Sequence, residues 1–229
     1  MKAKFDRLAY VDLAEQTAVE LRRRILGREI ESGAQIPVDE VASQLGVSRT
    51  PVIEALRQLA NEGLVDIVAR RGCYVRTLTV HDVREIFEAR EAIEIYCARH
   101  AICQGRNRPL AERLERLIDE MSVQIKEREY LDIEAFITAD RAFHDAIVAS
   151  VGNQRLSAMY HQLNVHMHVL RVHYFMELEA PPGVTKDHWD ICNAITDADV
   201  PAADAAIRRH LERIKSKMIF NLQENGGAL

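Results

Sequence analysis

A chain of 229 residues holds one large domain or two modest ones, and 48% apolar with 28% charged residues is the balance of a soluble globular protein. No apolar run approaches the roughly 20 residues of a membrane span, and MKAKFDRLAYVDLAEQ has no signal-peptide pattern, so a cytoplasmic protein without membrane partners is expected. The net charge of −5 is uneven: through Thr77 there are 12 Lys and Arg against 11 Asp and Glu, while the remainder has 18 against 24. An acidic second part is a poor partner for nucleic acid, whereas a near-neutral first part can bind it if its arginines share one face. Cys73, Cys97, Cys103 and Cys192 are scattered without a CxxC pair and read as free thiols.

In chain order, VDLAEQTAVELRRRILGREI first sets Ala14, Ala18, Leu21 and Ile25 on one helical stripe. Pro37 precedes a short helix over DEVASQL, which Gly46 is placed to end. Ser48 stands where it can N-cap a third helix, Pro51 falls in that helix's first turn, and Gly63 closes it. LVDIVARRGCYV then alternates and turns at Arg71-Gly72, the pattern of a two-stranded hairpin. Three helices and a hairpin predict a winged helix-turn-helix over residues 1–77, with RTLTVHD as the connection and 78–83 as the linker.

From Val80 onward every segment has a helical period. Val83, Phe87, Arg90 and Cys97 mark one stripe, and Leu114, Leu117, Ile118, Met121 and Ile125 the next. Phe136, Phe143 and Ile147 follow, then Leu156, Leu163, Met167 and Leu170 on a long helix closed by APPG. Ile191 with Ile195, and Ile207 with Leu211 and Ile214, complete six or so amphipathic helices. The fold class is therefore mainly α, with an all-α bundle over 84–229.

Within the third helix, Val52, Ala55, Leu56 and Leu59 gather on a packing side, and Arg49, Thr50, Ile53 and Arg57 on the opposite one. Arginine can pair bidentately with guanine, and threonine or an apolar group can touch a thymine methyl, so that face suits a major groove. The string LGVSRTPVIEALRQLANEGLV followed by RRGCYV resembles the winged helix of the GntR family of bacterial transcription regulators. The resemblance implies a homodimer on a short palindromic double-stranded operator, with Arg49 and Thr50 at the bases and the wing near Gly72 at the minor groove. Ser48, Ile53, Arg57, Arg70 and Arg71 complete the candidate DNA-binding set. Two positions depart from the family pattern: Ile53 stands where an arginine is usual, and Asp39 where the preceding helix often carries a basic residue. Altered operator specificity is expected, with a weak or degenerate DNA binder as the alternative.

In FITADRAFHDAIV, Asp140 and His144 are four apart and share a face with Phe136, Phe143 and Ile147. His188 lies three before Ile191, and His210 lies between Ile207 and Ile214. Imidazoles and a carboxylate on apolar stripes are either hydrogen-bonded in the core or ligands of a divalent ion such as Zn, Ni, Mn or Fe. The runs DRAFHDAIVASVGNQRL and HWDICNAITDADVPAADAAIRRHL are similar to the FCD ligand-binding domain of the FadR subfamily within GntR. That resemblance implies a metal held by Asp140, His144, His188 and His210, with open positions for the carboxylate of a small organic-acid effector.

Arg90, on its own apolar stripe, either pairs an internal acid or awaits an anionic ligand. In NVHMHVLRVHY, His166 and His173 lie near the stripe of Leu163 and Leu170 and are candidates to line the effector pocket. There is no HExxH, diiron-type Glu-x-x-His, GxSxG or phosphate-cradling glycine loop, so an enzyme is not expected. The resulting expectation is a transcription regulator controlled by a carboxylate at a metal site, with a metal sensor as the alternative.

Overall fold

The computed structural model describes residues 12–27, 29–127, 129–163 and 185–224. Contacts divide the chain into two compact units, Met1–Thr77 and Leu78–Leu229.

In the first unit, α1 (Leu13–Leu26) starts where Asp12 Oδ1 accepts from the backbone N–H groups of Ala14 and Glu15, at 3.1 and 3.0 Å. It buries Thr17, Ala18, Leu21 and Ile25. Helix α2 (Val38–Leu45) stops at Gly46, whose φ of 66° suits glycine. Helix α3 (Arg49–Asn61) buries Val52, Ala55, Leu56 and Leu59, the side its period marks. Ser48 occupies the N-cap position of α3 but makes no capping hydrogen bond. A capping hydroxyl accepts from the second or third helical N–H, and the third residue here is Pro51, which has none.

The wing sheet has three strands rather than two, β1 (Gln35–Ile36), β2 (Val65–Val68) and β3 (Gly72–Val75), antiparallel in the order β1-β3-β2. Two residues are too few to show alternation, which is why β1 has no signature in the sequence. The reversal also falls earlier than Arg71-Gly72. Gly72 already pairs with Val68 across the ladder, and Arg70 in the turn takes a φ of 62°. Gly72 has a reason of its own: a Cβ there would lie 2.8 Å from Gln35 Nε2.

The second unit opens with α4 (Val80–Cys103). Its first turn is set by a reciprocal cap: Thr79 Oγ1 accepts from the backbone N–H of Asp82, and Asp82 Oδ2 accepts from that of Thr79 at 2.8 Å. The helix thus begins inside the segment read as linker. Helix α5 (Asn107–Ser122) is followed by a short hairpin of β4 (Ile125–Lys126) and β5 (Glu129–Tyr130). Ile125 continues the period of α5, yet it reaches the core from β4, paired with Tyr130. Helix α6 (Ile133–Ala149), helical residues 154–163 (α7), α8 (Lys186–Thr196) and α9 (Val200–Glu224) complete the unit.

Helix α4 packs chiefly on α9, and α5 on α6 and α8. The core they enclose includes Val83, Phe87, Leu114, Ile118, Phe136, Phe143, Ile147, Ile191 and Ile207. The architecture is mainly α, an N-terminal helical region with a small sheet and a large C-terminal helical bundle. No described helix is long and apolar enough to cross a membrane.

Candidate metal centre and DNA-reading face

Helix α6 presents Asp140 and His144 one turn apart, α8 presents His188, and α9 presents His210. All four are buried, and one ligand-type atom from each lies within 4.8 Å of the other three. The imidazoles crowd together, with ring centroids 5.1 Å apart for His144 and His210 and 4.6 Å for His188 and His210. The Phe143 ring meets the His188 ring edge-on at 4.8 Å and closes one side of the group.

Burial is the main reason the imidazoles of His144 and His210 resist protonation, and that of His210 is pushed down to about 3. They are therefore neutral at physiological pH, the state in which an imidazole nitrogen can bind a metal. His188 Nε2 lies 3.0 Å from Asp140 Oδ1. His144 Nε2, by contrast, is buried with no hydrogen-bond partner among the described residues, and Asp140 Oδ1 is 3.9 Å away. A buried orphan nitrogen facing a carboxylate and two further imidazoles is what an ion would satisfy. Bonds near 2.1 Å span about 4 Å across an ion, so the donors are already close to that spacing.

Behind the cluster stands a residue that the sequence reading passes over. Glu94, fully buried on α4, places Oε2 2.8 Å from His144 Nδ1. Its Oε1 accepts from Tyr160 Oη at 2.6 Å and from Arg90 Nε at 2.9 Å. Desolvation alone would raise the Glu94 carboxyl, but the adjacent Arg90 charge and His144 hold it well below the usual carboxylate range. Arg90 is thus engaged by an internal acid, the first of the two options its position allows. The signal was present in the helical spacing, since Glu94 is four residues from Arg90 and three from Cys97 on the same buried stripe. Likewise Asp187 on α8 lies 3.6 Å from His210 Nδ1 and accepts from Arg213 Nε at 2.6 Å. His166 and His173 lie outside the described residues.

On the first unit, Ser48 at the N-cap of α3 and Arg49, Thr50, Ile53 and Arg57 on the helix are exposed, and Arg70 and Arg71 are exposed on the wing beside half-buried Gly72. Ile53 is 36% exposed, so it belongs to this polar face and not to the packing side. Asp39 on α2 contacts Arg49, with Oδ1 3.1 Å from Nε, a pairing that neither residue's own helix reveals.

Residues 13–75 match the family model of the bacterial regulatory proteins of the gntR family, and residues 85–213 match the FCD domain, more than half of the chain. The chain belongs to the GntR family, with an FCD domain. The HTH-type transcriptional repressor RspR of Escherichia coli (strain K12) is 30% identical over 205 residues, 90% of this chain and 88% of its own. An HTH-type regulator from an unstable DNA locus of Streptomyces ambofaciens is 30% identical over 196 residues, 86% of this chain and 80% of its own. The crystal structure of a GntR regulator from Rhodococcus sp. RHA1 has a TM-score of 0.70 at 23% identity, covering 91% of this chain and 98% of that one, a likeness of fold. This GntR protein is a DNA-binding transcription regulator, not an enzyme, and its FCD domain contains a cluster able to coordinate a metal ion.

Proposed function

We propose that this regulator holds a divalent cation between Asp140, His144, His188 and His210, and that occupancy of the site sets its affinity for operator DNA. The carrying observation is the convergence of four buried ligand-type side chains within 4.8 Å, one of them with an orphan nitrogen, in a chain with a DNA-reading domain. Zn, Ni, Mn and Fe all suit an N3O donor set, and the ion would supply fixed positive charge and directional bonds to three helices. Asp140 contributes the one negative charge in the set, and the three imidazoles hold α6, α8 and α9 in one arrangement.

In this reading a homodimer binds a palindromic duplex operator through Ser48 at the N-cap of α3, Arg49, Thr50, Ile53 and Arg57 on it, and Arg70, Arg71 and Gly72 of the wing. The helical FCD domain supports placing the protein in the FadR branch of the family. A ligand shifts DNA affinity only if it binds one conformation better than the other. The test is an operator titration, on duplexes selected from a random library, of protein stripped by chelator and then reloaded with each metal. Equal affinity in both states rejects the ion as signal, and His144→Ala with unchanged metal content rejects the site.

A second reading adds a small carboxylate. On a six-coordinate ion four protein donors would leave two positions open, where an organic acid could bind. Arg90 is engaged by Glu94 and Tyr160, so in this reading the ion is the primary anchor and Arg90 supplies charge from behind. A thermal-shift screen of organic acids separates the readings. An acid that raises Tm only in metal-loaded protein, and changes operator affinity, establishes the second.

A further inference from the structure

We infer that Glu94, a carboxylate outside the ligand cluster, is a positioning residue that keeps the proton of His144 on Nδ1 and thereby leaves its Nε2 bare toward the metal site. The inference deepens the metal-binding reading and rests on it for the affinity effect.

The geometry around Glu94 has only one solution for the proton. Oε1 already accepts from Tyr160 Oη at 2.6 Å and Arg90 Nε at 2.9 Å. Oε2 faces His144 Nδ1 at 2.8 Å, and an ionised carboxylate can only accept. The hydrogen between them therefore belongs to Nδ1. In a neutral imidazole the other nitrogen must then be a lone pair, and that nitrogen is the buried Nε2 without a partner. Neutralising Arg90 would need no histidine at all. The second oxygen of Glu94 is spent on His144 alone, which is what orients that ring.

The same order of groups recurs on the other side of the cluster. Arg213 Nε donates to Asp187 Oδ2 at 2.6 Å, and that oxygen lies 3.6 Å from His210 Nδ1. Each unit runs from arginine to carboxylate to imidazole. In one, the arginine and carboxylate share α4 and the imidazole is on α6; in the other, Asp187 on α8 lies between Arg213 and His210 of α9. The Asp187 unit is looser: at 3.6 Å His210 Nδ1 makes no hydrogen bond with it, so of the two contacts only that of Glu94 fixes a tautomer. His188 Nδ1 likewise lacks a hydrogen-bond partner among the described residues, and its Nε2 rests on Asp140. Metal-binding imidazoles are oriented by carboxylates in this way, and losing such a partner typically weakens binding about 10–100-fold.

The decisive variant is Glu94→Gln. The glutamine oxygen can still accept from Tyr160 and Arg90, but its amide then faces His144 as a donor. Nδ1 must accept, and the proton moves to Nε2. Two measurements follow on full-length protein: Zn affinity by competition with a chromophoric chelator, and the ring tautomer by 15N NMR of the metal-free form. Expected are an Nδ1–H tautomer for His144 in the native chain, an Nε2–H tautomer in Glu94→Gln, and a 10–100-fold loss of Zn affinity. Asp187→Asn is expected to lose less. A purely structural role would lower Tm while leaving the tautomer and the affinity of the folded fraction unchanged, and that result overturns the inference. So does an Nε2–H tautomer in the native chain. Should Glu94→Gln not fold, the native tautomer of His144 decides the matter. If the native chain binds no Zn, Ni, Mn or Fe, the metal-binding reading falls, and the tautomers alone judge the positioning role.

Discussion

The two units each contain an arginine held by a carboxylate, and the two pairs differ in almost everything except chemistry. Arg49 and Asp39 meet at 3.1 Å on the surface of the DNA-reading domain, with side chains 66% and 75% exposed. Arg90 and Glu94 meet at 2.9 Å inside the bundle, with side chains 2% and 0% exposed. Water screens the first pair and competes for both partners, so such a contact contributes about 0–1 kcal/mol and exchanges readily. The second pair has no water to fall back on, and removing either member strands a charge in a low dielectric. If Arg49 reads a base edge, as proposed, its present partner is one that water lets it leave. An arginine that must keep a histidine's brace in place belongs in the second kind of pair.

The comparison breaks most decisively at Arg90. Arg90→Met leaves Glu94 buried without its arginine and is expected to destabilise the bundle by about 3–5 kcal/mol in urea unfolding; a loss under about 1 kcal/mol would mean that the buried pair behaves like a surface one. Acid is the next largest lever. The folded-state value of His210 lies near 3, against 6.5 for an ordinary histidine, and that of His144 is also lowered. Between those limits the unfolded chain binds protons that the folded chain refuses. Stability of chelator-treated protein is thus full above pH 6.5 and falls as pH drops below it, by about 1.4 kcal/mol per pH unit for each fully titrating histidine. Flat thermal melts from pH 7 to 5 would show that these rings are not buried neutral.

On the exposed side, the effects appear in DNA binding and leave the fold alone. Ile53→Arg should shift operator preference toward guanine at one position by about 1–3 kcal/mol, read by selection from random duplexes, with Tm unchanged. A flat preference would mean that Ile53 does not face the bases. Asp39→Ala gives the smallest change: stability moves by less than about 1 kcal/mol, while affinity for duplex DNA rises as a negative charge leaves the reading domain. A large loss of stability there would erase the contrast between the two pairs.

Much of this molecule is legible from local pattern. The 3.6-residue period places Val52, Ala55, Leu56 and Leu59 on the packing side of α3 and leaves Ile53 outside. The spacing of Asp140 and His144 puts both on one face, and the apolar neighbours of His188 and His210 point those rings inward. Even the missing cap at Ser48 is local, since Pro51 three residues on has no N–H to offer. Other features are not written in any window of the chain. The pairing of Gln35–Ile36 with β3 joins segments nearly 40 residues apart. The turn of the chain at Glu127, with φ of 57°, brings Ile125 into a hairpin although its spacing continues a helix.

The division is sharpest at the centre of the bundle. Side-chain type and helical phase determine which residues are turned inward, because phase is a property of the backbone itself. Which inward residues meet is decided by how the helices pack, and that is settled by volume and shape over the whole core. Glu94 is 50 residues from His144 and 66 from Tyr160, yet one carboxylate touches both. The sequence by itself determines the exposed face of α3 and turns Asp140, His144, His188 and His210 inward. The tertiary structure alone decides that those four meet and that Glu94 stands behind one of them.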